Sequence, residues 1–264
     1  MPNVDGHQPG AFCWVELATL DVAAAKKFYG ALFGWKFADF PMGEFGEYTI
    51  FRINDRDVAA AYPMMPDQRE QGIPPNWMSY VSVESADDVA GKIPALGGAV
   101  IAPPMDVFDM GRMVVLADPT GAVVSVWQPK THKGFGLNAE PGTFCWSELW
   151  TPDTDKAKMF HTSLFGWQTE IMPAMSGGDY TIFKTGEAQN TGVGGMLDST
   201  RVPGNIPPHW LPYFMVSDCD ATVEKAKAEG GKAHMTPTDI PNVGRFAALA
   251  DPQGASFAVL KPAM

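Results

Sequence analysis

Apolar and polar positions along this chain change period in a fixed order. Phe12-Cys-Trp-Val-Glu-Leu17 is aromatic and β-branched enough for a strand. Asp21 then offers a side-chain cap to a helix in which Ala25, Phe28, Tyr29 and Leu32 recur at helical spacing, and Gly34 stops it. Trp35–Phe37, Tyr48–Ile53 and Val58–Met64 suit three following strands. Trp77–Val83 opens the same order again. Ser85 caps a helix ending at Gly97-Gly98, and strands follow near Ala99, at Met113–Leu116 and at Val123–Trp127. The Asp118-Pro-Thr-Gly121 run carries turn chemistry, because proline presets φ and glycine accepts positive φ.

The whole pattern then repeats. Gly10-Ala-Phe-Cys-Trp-Val-Glu-Leu17 recurs as Gly142-Thr-Phe-Cys-Trp-Ser-Glu-Leu149, Leu32-Phe-Gly-Trp35 as Leu164-Phe-Gly-Trp167, and Tyr48-Thr-Ile-Phe51 as Tyr180-Thr-Ile-Phe183. After one inserted residue, Ile73-Pro-Pro-Asn-Trp77 matches Ile206-Pro-Pro-His-Trp210, Gly97-Gly98 matches Gly230-Gly231, and Leu116-Ala-Asp-Pro-Thr-Gly121 matches Leu249-Ala-Asp-Pro-Gln-Gly254. Similarity of this extent predicts a duplicated domain, residues 10–129 and 142–262, joined by a polar linker over 130–141.

Composition narrows the partners. The 264 residues carry a formal net charge of -11, and no Lys/Arg run offsets it, so nucleic acid is not an expected partner. Met1–His7 lacks the basic and apolar regions of a secretory signal, and no apolar run approaches a membrane span. Three cysteines, Cys13, Cys145 and Cys219, show no close-spaced pairing, which argues against a disulfide framework or zinc knuckle. A cytoplasmic protein, monomer or homodimer, that handles a small-molecule ligand or substrate is the expectation.

The order and spacing of these motifs resemble the vicinal oxygen chelate superfamily, which includes glyoxalase, bleomycin-resistance and dioxygenase proteins. The resemblance rests on the helix running from Lys26-Lys-Phe-Tyr29 to Leu-Phe-Gly-Trp35 (Lys158-Met-Phe-His161 to Leu-Phe-Gly-Trp167 in the second copy), with the Gly-Gly pair and the Ala-Asp-Pro-x-Gly run, which both copies share. It implies an α+β chain of two tandem glyoxalase-like domains, each built from two βαβββ units that curl into an eight-stranded cup. It also implies a divalent metal in the cup, held by His and Glu on the opening and closing strands. The matching positions here are Trp14, Met78 and Ser125 in the first copy, and Trp146, Leu211 and Ala258 in the second. None is an imidazole or a carboxylate, the donors such metals need, so no metal or other cofactor is expected at these substituted positions; a divalent metal on relocated ligands is the alternative.

Strand alternation gives the side chains that share the cup face. Phe12 and Glu16 fall beside Trp14, with Asn76 and Tyr80 flanking Met78; Glu148 falls beside Trp146, with His209 and Tyr213 flanking Leu211. Cys13 and Cys145 point the other way, as small core hydrophobes. Glu16 and Glu148 read two ways. They are general bases among aromatics, with Tyr80 or Tyr213 donating to a developing oxyanion and Trp14 or Trp146 as a stacking wall, or they are rim carboxylates paired with Arg112 or Arg245. His209 with Tyr213 reads as a proton shuttle or as the end of a loop. His161, at the helix position of Tyr29, reads as packing, and His7, His132 and His234 form no ligand spacing. Met64, Met65, Met105, Met110 and Met113 read as core filling or as an adaptable pocket rim.

Overall fold

The computed structural model describes residues 6–175, 177–186, 191–202 and 204–263; most of the N-terminal stretch read above for a secretory signal lies outside them. The first half runs β1 (Phe12–Thr19), α1 (Val22–Phe33), β2 (Lys36–Pro41), β3 (Glu47–Ile53), β4 (Arg56–Pro63), α2 (Pro66–Glu70), β5 (Asn76–Ser82), α3 (Ala86–Lys92), β6 (Ala99–Val107), β7 (Gly111–Ala117) and β8 (Val123–Pro129). The second runs β9 (Phe144–Thr151), α4 (Thr154–Phe165), β10 (Gln168–Pro173), β11 (Asp179–Lys184), β12 (Gly192–Asp198), β13 (His209–Met215), α5 (Cys219–Ala228), β14 (Lys232–Ala233), β15 (Thr238–Ile240), β16 (Gly244–Ala250) and β17 (Ser256–Pro262). Each half forms its own sheet. Strand order in the first is β2-β3-β4-β1-β5-β8-β7-β6, and the second repeats it as β10-β11-β12-β9-β13-β17-β16-β14. The chain is α+β, with two tandem cups.

Local chemistry explains the element ends. Asp21 accepts from the Ala24 amide and Asp153 from the Lys156 amide, while Gly34 and Gly166 close the same helices in the left-handed region. Three features depart from the sequence expectation. The helix capped by Ser85 stops at Lys92, because Pro94 lacks the amide to continue it; a tight 3-10 turn over Pro94–Leu96 completes the run to Gly97. The second sheet counts nine strands, since the segment matching β6 breaks into β14 and β15, both paired with β16. Prolines account for that break: Pro237 stands in it, and Pro103-Pro104 fall where β6 itself shifts register against β7.

The third departure moves side chains. Phe12 pairs with Val81 but Trp14 with Tyr80, so Cys13 is the extra residue of a β-bulge; Cys145 plays the same part between Phe144 and Trp146. The bulge breaks alternation, and Phe12 does not join Trp14. It packs instead on Phe144, Trp167 and Trp210 of the second half, at ring separations of 6.1, 6.0 and 5.2 Å. The two thiols donate to the Tyr80 and Tyr213 carbonyls, and burial pushes Cys145 up to about 12 and Cys13 further still, which leaves both unreactive.

One continuous core joins the halves, and a pseudo-two-fold set of polar contacts locks it. Trp35 donates to the Gly142 carbonyl at 2.7 Å and Trp167 to the Gly10 carbonyl at 2.8 Å. Asp118 closes its own turn through Thr120 and Ala122, then accepts from His161 across the interface at 3.1 Å. Asp251 does the same through Gln253 and Ala255, and accepts from Tyr29 at 3.2 Å. His161 therefore packs, as its helix position suggests, and also bonds to the opposite half.

The glycine pairs have a steric cause at this joint. A Cβ on Gly98 would lie 2.5 Å from the Phe160 ring and 2.8 Å from the Ala117 carbonyl; one on Gly231 would lie 3.0 Å from the Phe28 ring. Each helix of one half thus needs a bare backbone in the other. Gly98→Ala should destabilise the chain by about 1–3 kcal/mol in a urea melt, the usual cost of overpacking. Gly91→Ala, inside α3 with nothing near its Cβ, should instead stabilise it by up to about 1 kcal/mol. Equal effects from the two substitutions would refute the packing account.

Candidate functional site

The bulges at Cys13 and Cys145 leave Trp14 and Glu16, and Trp146 and Glu148, on the inner faces of their cups. Opposite Glu16 in the ladder stand Met78 on β5 and Ala60 on β4; opposite Glu148 stand Leu211 on β13 and Gly195 on β12. The small residues at Ala60 and Gly195 matter. A tyrosine from the next strand out, Tyr48 on β3 or Tyr180 on β11, reaches across them to the carboxylate. At Gly195 any Cβ would collide with the Tyr180 hydroxyl.

A hydrogen-bonded relay results in each cup. In the first, the Trp14 indole donates to the Tyr48 hydroxyl at 3.4 Å, Tyr48 donates to Glu16 Oε2 at 2.9 Å, and Tyr80 donates to Glu16 Oε1. In the second, Trp146 donates to Tyr180 at 3.0 Å, Tyr180 to Glu148 Oε2 at 2.9 Å, and Tyr213 to Glu148 Oε1 at 2.9 Å. Trp150 adds a third donor to Glu148, at 2.7 Å. The place of Trp150 is Ala18 in the first half, where Tyr62 pairs beside it and takes its hydrogen bond from Gln68 instead.

Burial raises both carboxyls above their ordinary range, and the tyrosine hydroxyls offset only part of that. The same burial, beside a negative carboxylate, drives Tyr48, Tyr80, Tyr180 and Tyr213 upward, so they remain neutral donors. The alternative of a rim ion pair fails here. Arg112 is taken by Asp87 and Asp106, and Arg245 by Asp220 and Asp239. Among the described residues no cationic side chain pairs with Glu16 or Glu148.

The remaining sequence candidates scatter. Asn76 turns its amide back to the Pro74 carbonyl at 2.8 Å. His209 bonds the Pro207 carbonyl at 2.8 Å and stacks on Trp150 at 5.9 Å; burial lowers its pKa. Tyr213 is committed to Glu148, so the His209–Tyr213 shuttle is not assembled and His209 closes its loop. Met78 is half-buried beside Glu16. Ser125 on β8 lies next to Tyr80, fully buried, its hydroxyl without a partner. His132 of the linker sets its ring edge on Trp14 at 4.7 Å and accepts from the Trp127 indole at its carbonyl.

Sequence reasoning missed Tyr48, Tyr180, Trp150 and Tyr62. Tyr48 and Tyr180 stood in a quoted repeat, but only the pairing order puts β3 and β11 within reach of the opening strands.

A metal does not fit the family's usual positions. Trp14, Met78 and Ser125, or Trp146, Leu211 and Ala258, offer an indole, a thioether, a hydroxyl and hydrocarbon. The one nearby carboxylate in each cup already takes hydroxyl protons on both oxygens. Among the described residues no three His, Cys, Asp or Glu side chains gather for a metal.

Comparison with known proteins follows the same lines. Residues 11–54 match the family model "Bleomycin resistance protein-like N-terminal", and residues 143–259 match "Glyoxalase/Bleomycin resistance protein/Dioxygenase superfamily". The chain is 45% identical over 264 residues to "Putative glyoxylase CFP32" of Mycobacterium tuberculosis, covering 100% of this chain and 99% of the relative. It is 36% identical to the anthracycline biosynthesis protein DnrV of Streptomyces peucetius, covering 96% and 94%. The 2,3-dioxygenase LapB from Pseudomonas sp. KL28 shares the fold at a TM-score of 0.67 and 13% identity, covering 98% of this chain and 94% of that one. Among the described residues no helix is long and apolar enough to cross a membrane.

The raised carboxyls give a pH signature. A carboxyl whose folded pKa exceeds its unfolded one lends stability below the unfolded pKa and loses it as pH climbs through the folded one. Glu16→Gln and Glu148→Gln should each gain stability relative to the parent as pH climbs above the ordinary glutamate value, about 4. Denaturant melts over that rise in pH measure the difference. A gap that moves the other way would show that the carboxylates are favoured, and not penalised, by their sites.

Proposed function

The chain belongs to the glyoxalase/bleomycin-resistance/dioxygenase superfamily, and from that premise we propose that it binds an apolar small molecule bearing a carbonyl or hydroxyl and moves a proton on it without the family's usual metal. The observation that carries this is the carboxylate sunk in each aromatic cup, with tyrosine hydroxyls as its hydrogen-bond donors and, among the described residues, no cationic side chain paired with it. Such a carboxylate is a stronger base than a solvated one.

The chemistry is a proton transfer. A glutamate oxygen takes the proton from a C–H beside the ligand's carbonyl, and the electron pair moves onto the carbonyl oxygen. The neutral acid no longer needs two donors. A tyrosine hydroxyl, bonded to the glutamate in the resting state, is then freed to turn toward the new oxyanion. Return of the proton to the same or a neighbouring atom restores the carboxylate. Trp14 or Trp146 supplies the apolar wall. A relative named for anthracycline biosynthesis supports a planar, oxygen-bearing aromatic as the ligand class. A cytoplasmic small-molecule role suits the acidic net charge of -11.

A second reading, capture without turnover, is favoured by the match of residues 11–54 to a bleomycin-resistance model. Deuterium uptake from D2O into 2-tetralone, an apolar ketone with acidic C–H bonds, separates the two. The parent protein should accelerate uptake, and the Glu16→Gln/Glu148→Gln double variant should lose at least about 100-fold of that acceleration while retaining ligand affinity. Binding with no acceleration by the parent would establish capture and overturn the proton-transfer reading.

A further inference from the structure

We infer that the two cups have diverged and that the first alone takes the ligand, with Ser125 as an added hydrogen-bonding partner for the ligand's oxygen. This rests on the small-molecule reading above and narrows it to one cup. Three observations at matching positions carry it.

The first is hydrogen-bond saturation. Glu148 accepts from Tyr180, Tyr213 and Trp150, while Glu16 accepts from Tyr48 and Tyr80 only. Each donor stabilises the charged form and weakens the base, so the third donor makes Glu148 the less reactive of the two. The second is access. Glu148 is 7% exposed, and the half-buried ring of Trp150 lies against it under the stacked His209. Glu16 is only half-buried, and alanine stands where Trp150 stands in the other half. Glu16 thus keeps more exposure than Glu148, although enough protein surrounds it to raise its pKa.

The third is an unmet hydroxyl. Ser125 pairs with Tyr80 in the parallel ladder, and Trp127, two residues on, sets its ring edge toward Tyr80 at 6.4 Å, which places Ser125 on the cup face. Its oxygen is buried and has no partner. Such a group costs stability unless something completes it. Its counterpart beside Tyr213 is Ala258, which has nothing to complete. Met78 and Met113, both half-buried and adaptable, stand on the same face and can yield to a ligand reaching Ser125. The ligand class is an apolar body with one oxygen that bonds Ser125 while its acidic proton faces Glu16.

The test uses the full chain with 2-tetralone. Calorimetry should find one molecule per chain. In 1H–15N spectra the Trp14 indole signal, assigned by Trp14→Phe, should shift on binding, and the Trp146 and Trp150 signals should stay in place. Ser125→Ala should weaken binding about tenfold, the usual effect of one lost hydrogen bond. That variant removes an unsatisfied group, so it should fold at least as well as the parent, and a thermal melt verifies this. Two molecules per chain, shifts confined to Trp146 and Trp150, or unchanged affinity in a folded Ser125→Ala would overturn the division between cups. No binding by the parent would instead overturn the small-molecule reading on which it stands.

Discussion

A carboxylate taken out of water, with no cationic side chain paired to it among the described residues, is the constraint around which each cup is built. Among the described residues the groups that offset the cost of burying this charge are hydroxyl and indole donors, and no arginine is one of them. The hydroxyl donors come from different strands: Tyr48 and Tyr180 from two strands away, and Tyr80 and Tyr213 from the adjacent one. Each demands something of the backbone. Ala60 and Gly195 are small so that the outer tyrosine can cross. Cys13 and Cys145 are bulged, which keeps Trp14 and Trp146 facing inward with the glutamates while Phe12 and Phe144 turn to the interface. The site and the joint between halves are thus set by the same irregularity.

That joint exchanges parts between the halves. The Asp-Pro-x-Gly aspartate closes a hairpin turn in its own half and then holds a helix side chain of the other. Asp118 meets His161; burial pushes the carboxyl up, but the His161 and Thr120 donors together outweigh it and draw the carboxyl below its usual range. Asp251 meets the weaker donor Tyr29, and burial there prevails and raises the carboxyl. The Gly98 and Gly231 backbones admit Phe160 and Phe28 at the same seam. The duplication is therefore one folded body with two cups, in which each half completes the other's core.

Much of this was legible before any coordinates. Strand and helix periodicity, the Asp21 and Ser85 caps and the Gly34 stop place the main elements, and the repeat gives the two cups. Alternation places Glu16 and Glu148 correctly because no bulge lies between them and their tryptophans. It fails two residues before Trp14, at Phe12, since nothing in Phe-Cys-Trp announces a bulge. Tyr48 and Tyr180 were visible as repeated residues, yet their role depends on β4 and β12 lying between them and the opening strands. Asn76 and His209 share the right face, but local carbonyls at Pro74 and Pro207 capture their side chains. Short-range hydrogen bonds win there over the pattern.

The central claim is that Glu16 and Glu148 are desolvated bases held by tyrosine hydroxyls. Carbon-13 NMR of glutamate side-chain carboxyls, titrated with pH and assigned through Glu16→Gln and Glu148→Gln, observes this directly. The account predicts two signals that titrate above the ordinary glutamate range. Both signals titrating with the exposed glutamates would contradict it.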